Sequence, residues 1–170
     1  HQFLADAAPL GAPQSVREAM DNWLFDDAMS DLDKAYEVLD ALKEADELLP
    51  EAGLIPFVQP GFESARNAKA LDDVLAQTQL LLESANEVFE PLSQLQAAAP
   101  EGWGLPGAVR NAITQQRFEE ILTAAAPALQ VVTDVSAAAA ARPTAGLLET
   151  YRARYENAAT AEALAELATE

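Results

Sequence analysis

Cysteine is absent from this sequence, histidine occurs once, and only 6% of the residues are aromatic. Without cysteine there is no disulfide, no thiol nucleophile and no thiolate metal site. The single histidine, His1, excludes a helical di-iron centre, which takes a Glu-x-x-His pair from each of two helices. It excludes the two-histidine copper brace as well. Positive charge is scarce: 10 basic residues stand against 28 acidic ones, a net charge of −18 over 170 residues. Nucleic-acid binding relies on cationic side chains that displace phosphate counterions, so no nucleic-acid partner is expected, and an anionic membrane surface is repelled too. No stretch supplies the roughly 18 unbroken apolar residues of a membrane span. Phosphate loops, nucleophile elbows and zinc-protease motifs are all missing. Gly102-Trp103-Gly104 reads as a turn, because the lysine of a phosphate loop does not follow it. No catalytic residue, cofactor or metal ligand is therefore assigned, and the chain is not expected to be an enzyme.

What is present is alanine, leucine and acid. Half the residues are hydrophobic, most of that load in strong helix formers, and no run alternates as a strand would. The expected fold is all-α: an antiparallel up-and-down bundle of about four principal helices, some broken by proline. Residues 1–13, with Pro9, Gly11 and Pro13, read as an extended arm pinned by Phe3, Leu4 and Leu10. Residues 14–170 read as a single bundle domain. The first helix is expected from Pro13 to about Met29, its apolar face made by Val16, Met20, Trp23 and Leu24. Ser30-Asp31-Leu32-Asp33 looks like the cap of the next helix, which stops at Pro50. Residues 50–61 carry three prolines and two glycines and are expected to form a loop.

The clearest periodicity follows. Ala68, Leu71, Leu75, Thr78, Leu82, Ala85, Phe89 and Leu92 alternate at three and four, and Val74, Leu81, Val88 and Leu95 add a column every seventh residue. Three apolar columns mark a helix packed in a bundle rather than a two-stranded coiled coil. Pro91 should kink or split it. After a breaker loop at 100–107, a further helix is expected over about 108–142, broken near Pro127, and then a last helix or a pair divided near Asn157 to Thr160. No convincing internal repeat is seen. A first residue other than Met, and a last stretch, Glu166 to Glu170, inside helical sequence, suggest a processed or excised segment.

Acidic residues invite a search for cation sites. Asp26, Asp27, Asp31 and Asp33 cluster, but without the spacing or central glycine of a calcium loop. Capping and dipole complementarity account for Asp31 and Asp33 more simply, so calcium is a weak expectation. Arg110, Arg117, Arg152 and Arg154 are candidates to clamp an anionic ligand, or else simply to pair with the many acids. The two apolar loops are the irregular features. Leu54, Ile55, Phe57 and Val58 in the first, and Trp103 and Leu105 in the second, are candidate contacts for another protein. Phe57 and Trp103 alternatively plug the ends of the bundle, which is the expected arrangement.

A Leu/Ala helix, then Leu54-Ile55-Pro56 with Gly61 shortly after, then a longer Ala/Leu helix ending near Phe89-Glu90-Pro91-Leu92, resembles the helical membrane-proximal segment of large bacterial envelope proteins of unknown function. The resemblance covers about Leu32 to Leu95. It implies an extracytoplasmic, membrane-tethered setting and carries no catalytic residue. The function expected is a non-enzymatic scaffold or protein-interaction domain, with another protein as partner. The alternative is a ligand-sensing helical ectodomain of a membrane receptor, with a small molecule held between bundle helices.

Overall fold

The computed structural model describes Ala7 and residues 10–170, less the side chains of residues 25, 27 and 28. His1, Phe3, Leu4 and Pro9, named above, and the side chain of Asp27 lie outside the described residues. The described chain is all-α, with eight helices and no strand among the described residues. They are α1 (Gln14–Asp21), α2 (Phe25–Leu48), α3 (Leu54–Ser64), α4 (Ala68–Ala98), α5 (Gly107–Thr114), α6 (Phe118–Ala141), α7 (Leu147–Asn157) and α8 (Ala161–Ala168). Short 3-10 turns at Pro50–Ala52 and Pro143–Ala145 precede α3 and α7. Contacts divide the chain into two compact units, His1–Asn86 and Glu87–Glu170, where the sequence reading has one bundle over 14–170; the division falls inside α4.

The order of elements repeats. Gln14 and Gly107, Phe25 and Phe118, Pro50 and Pro143, Leu54 and Leu147, and Ala68 and Ala161 each begin an element, and one interval, 93 residues, separates every pair. The special backbone positions keep the same interval. Trp23 and Gln116 both hold φ near +60°, and Gly53 and Gly146 both sit in the left-handed region before their helices. So do the capping bonds: the Asn67 carboxamide accepts from the Ala70 amide and the Thr160 hydroxyl from the Ala163 amide. The sequence carries this repeat at Gly11/Gly104, Pro13/Pro106, Val16/Val109, Arg17/Arg110, Gly53-Leu54/Gly146-Leu147 and Glu63/Glu156. That corrects the expectation of no repeat. The matches cluster at turns and helix ends, while the long helices between them share little beyond alanine and apolar spacing.

Several element boundaries also differ from expectation. The first helix ends at Asp21, not near Met29, in a Schellman turn: the Trp23 amide donates to the Met20 carbonyl and the Leu24 amide to that of Ala19. Gln116 and Arg117 make the same two bonds to Ile113 and Ala112, which splits the run expected over 108–142. No glycine marks either turn, although the left-handed position normally favours one. Residues 30–33 lie within α2 rather than at a cap. Residues 54–61 are helix rather than loop. Pro50 opens a 3-10 turn, and Pro56 falls in the first turn of α3, where an amide donor is not needed. Only Pro60 removes an interior bond, and the burial of Leu54, Val58 and Phe62 along one face offsets that loss. Pro91 and Pro127 likewise interrupt neither α4 nor α6. The division expected at Asn157 to Thr160 is present between α7 and α8.

The core of the first unit includes Leu10, Val16, Val38, Leu42, Leu54, Phe62 and Leu71, and that of the second Val109, Ile121, Val131, Val132, Tyr155 and Leu164. Within α4, Leu71, Val74, Thr78, Ala85, Val88, Leu92 and Leu95 are buried, Leu75, Leu81 and Leu82 half-buried, and Phe89 exposed. Only α6 among the described helices is long and apolar enough to cross a membrane by length and composition. In the structure its stripe from Ile121 to Val135 is buried, and it packs against α5, α7 and α8.

Candidate functional site

Each unit is locked by the same clasp between its first short helix and the end of its third. In the first unit the Ser15 amide donates to the Ala65 carbonyl (2.9 Å) and the Arg17 guanidinium to the Glu63 carbonyl (3.2 Å). In the second the Ala108 amide donates to the Ala158 carbonyl (2.7 Å) and Arg110 to the Glu156 carbonyl (3.0 Å). The acid at that position is held as well: Glu63 accepts from Gln59 (2.9 Å), and Glu156 from Arg152 (3.1 Å) and from the Gly104 amide (2.8 Å). The Gly104 amide and then Arg152 hold the Glu156 carboxyl below the usual range. Gly11 shows why a glycine precedes the helix: at φ +78°, a Cβ there would lie 2.6 Å from a Glu63 carboxylate oxygen. The clasp is structural, since its groups are spent on one another.

The arginines considered for an anion clamp are similarly engaged. Arg117 pairs with Glu120, Arg152 with Glu156 and Arg154 with Glu170, and Arg154 also lies over the Tyr151 ring. Asp26, Asp31 and Asp33 stand along the continuous α2, and no group of three or more metal-binding side chains gathers among the described residues.

The proposed contact residues disperse. Leu54 and Val58 are core residues, Ile55 is half-buried and Phe57 is 48% exposed, so Phe57 plugs nothing. Trp103 and Leu105 are half-buried, and the Trp103 ring packs against that of Tyr155, centroids 5.1 Å apart and planes tilted by 44°. Tyr155 is fully buried, and its hydroxyl has no hydrogen-bond partner among the described residues. Phe62, its counterpart, has no hydroxyl to satisfy.

Comparing the two units reveals two surfaces that periodicity misses. The first is the elbow between α1 and α2. Met20, Trp23, Leu24 and Met29 are all exposed there, Trp23 to 77%. Of the apolar face expected for the first helix, only Val16 reaches the core. In the second unit the counterparts are Ile113, which is buried, and Gln116, Arg117 and Leu122. The first elbow thus exposes four large apolar side chains, where the second exposes Arg117 and Leu122, half-buries Gln116 and buries Ile113. The second surface is a cleft of about 330 Å³ in the second unit, lined by residues that include Val131, Val135, Ala138, Arg142, Leu147, Tyr151 and Leu167. The signal for both lies in the 93-residue alignment, where paired positions diverge in polarity or burial. Comparison with protein-family models, curated proteins and solved structures finds no match.

Proposed function

We propose that the protein is a non-enzymatic helical scaffold or interaction domain that binds another protein outside the cytoplasm. The observation that carries this reading is the exposed elbow of Met20, Trp23, Leu24 and Met29. An apolar cluster standing in an acidic surface is the composition of a contact patch, and tryptophan is the side chain most often central to one. Trp23 also occupies a left-handed backbone position, an uncommon place for a bulky side chain and one whose strain often accompanies function. Within each unit, short connections favour antiparallel neighbours, so the up-and-down arrangement is proposed unit by unit. The extracytoplasmic setting rests on the resemblance to bacterial envelope proteins.

A photo-reactive residue at position 23, in the protein expressed in its native host, is expected to give a discrete adduct with another protein. The same residue at position 116 should give none. Equal patterns from the two positions, or no adduct from either, would contradict the reading. A single cysteine at exposed Gln77 tests the compartment, since a membrane-impermeant maleimide should label it in intact cells.

A further inference from the structure

The interval of 93 residues also singles out a polar pocket in the first unit. The pocket has a volume of about 430 Å³ and opens between α1, α2 and the turn from α3 to α4. Its lining includes Ser15, Glu18, Asn22, Asp31, Arg66 and Asn67. In the second unit the polarity of this place is gone. The counterparts of Ser15, Asp31 and Arg66 are Ala108, Ala124 and Ala159, and that of Glu18 is Asn111. Ala108 and Ala124 are buried. The described charged residues that line the pocket are Glu18, Asp31 and Arg66, and none has a charged counterpart.

These groups keep bonding capacity that the fold does not use. Ser15 is only 7% exposed, and its hydroxyl has no hydrogen-bond partner among the described residues. A buried hydroxyl left unsatisfied is costly and calls for a partner. Asp31 is half-buried and forms no hydrogen bond or ion pair with the described residues, and Lys34, one turn further along α2, is taken by Asp72. Gln14 sets Arg66 and Glu18 side by side. Its carboxamide oxygen accepts from Arg66 Nε (3.1 Å), and its nitrogen donates to Glu18 Oε1. Both terminal nitrogens of Arg66 and Oε2 of Glu18 are left without a bond to the described residues. In the second unit Gly107 stands in the place of Gln14, so this bridge cannot form there.

We propose that this pocket binds a small basic amino acid of the lysine or ornithine class. The ligand's carboxylate matches the free fork of Arg66. Its two ammonium groups answer the carboxylates of Asp31 and Glu18, one of them with the Ser15 hydroxyl as a further acceptor. Two acids against one base select a ligand of net positive charge, and the net charge of −18 attracts one. The volume, about 430 Å³, lies in the range of small-molecule sites, where a few convergent polar groups fix the ligand. The inference goes beyond the interaction reading, since it asks for no protein partner. The pocket shares Leu24 with the elbow but none of the polar groups that the ligand uses.

The second unit serves as an internal control. L-lysine is titrated into the isotope-labelled chain at physiological ionic strength, and amide chemical shifts are followed by NMR. The amides of residues 15–22, 31 and 66–68 should shift saturably, while those of 108–115, 124 and 159–161 stay in place. Asp31→Asn and Arg66→Ala should each weaken binding by about tenfold or more, the scale of one hydrogen bond to a charged group. Asp31 is half-buried and Arg66 exposed, so both variants should fold. Ser15→Ala, which installs the residue of the second unit, should weaken binding and raise the melting temperature, a pairing that a purely structural serine would not give. No saturable shift at millimolar L-lysine would overturn the proposal. Equal shifts in both units would also overturn it, because the attraction would then be to surface charge alone. Cadaverine binding as tightly as L-lysine would remove the carboxylate and Arg66 from the site, and with them the amino acid. Nα-acetyl-L-lysine amide binding as tightly would make the occupant a lysine side chain of another protein, against the proposal.

Discussion

The two units share one plan and finish it differently. In the first, α2 and α3 are closed from Val38 to Leu54 and the elbow is apolar and exposed. In the second, Gln116 and Arg117 stand in place of Trp23 and Leu24 at the elbow, and the lower part of the same face is open. Where two copies of one fold must both remain folded, the positions they hold in common report stability. The positions where they diverge report whatever else each copy does. By that measure the Gly-x-Pro-x-x-Val-Arg segment and its acid partner are structural, while Trp23 and Ala138 mark surfaces.

Paired substitutions at matching positions test this comparison, and the largest difference is expected at Ala45 and Ala138. Ala45→Asp buries an unpaired carboxylate and should cost several kcal/mol, about 3 or more. Ala138→Asp lies on the surface and should change stability by no more than about 0.5 kcal/mol. Urea unfolding of the two variants measures both, and similar losses would mean that the second face is closed too.

The next difference is expected at Phe62 and Tyr155. Phe62→Tyr adds a hydroxyl to a fully buried site and should cost about 1–3 kcal/mol. Tyr155→Phe removes a buried hydroxyl that has no partner among the described residues and should be neutral or stabilising by about 1 kcal/mol. The pair also differs in pH dependence. Burial, and secondarily the charge of Glu156, raises the Tyr155 phenol above its ordinary value. The folded state therefore keeps its proton where the unfolded state has lost it. Stability from this group is complete below about pH 10 and falls as pH rises above that. Tyr155→Phe should flatten the alkaline decline measured by thermal unfolding from pH 9 upward, and an unchanged decline would remove Tyr155 as its source.

Trp23 and Gln116 should behave alike, because the strain belongs to the backbone. Glycine at either position relieves a left-handed residue and should stabilise by about 1 kcal/mol. A gain at 116 with a loss at 23 would show that the Trp23 side chain supports the fold. The smallest effect is expected at Phe57. Its counterpart, Thr150, is also exposed, and Phe57→Thr should cost less than about 1 kcal/mol, not the 3–5 of a buried aromatic.

The helical class was legible in the sequence, and so was much of the inward face of α4, because three-and-four spacing follows directly from helix geometry. The breaks at Pro50, at 100–107 and at 157–160 were legible as well. Proline was a poorer guide inside helices. Pro56 lies where the amide is idle, and at Pro60, Pro91 and Pro127 the packed face of the helix outweighs one missing bond. The break at Asn22–Leu24 had no glycine to announce it, so Met20, Trp23 and Leu24 read as one apolar face when the chain in fact turns between them. Phe89 was misplaced for a simpler reason: its neighbour Val88 holds the buried column. The repeat was present in the sequence but confined to turns and helix ends. With the repeat unrecognised, neither the elbow nor the cleft could be found, since each is defined by what its counterpart is not.

The most direct test is thiol accessibility at matched positions. Single cysteines at 45 and 138, each in an otherwise cysteine-free chain, are labelled with maleimide under native conditions after circular dichroism confirms folding. The cysteine at 138 should react within the time of a free thiol, and that at 45 should stay protected until the protein unfolds. Equal reactivity at the two positions in folded protein would contradict the claim that the first unit closes the face that the second leaves open.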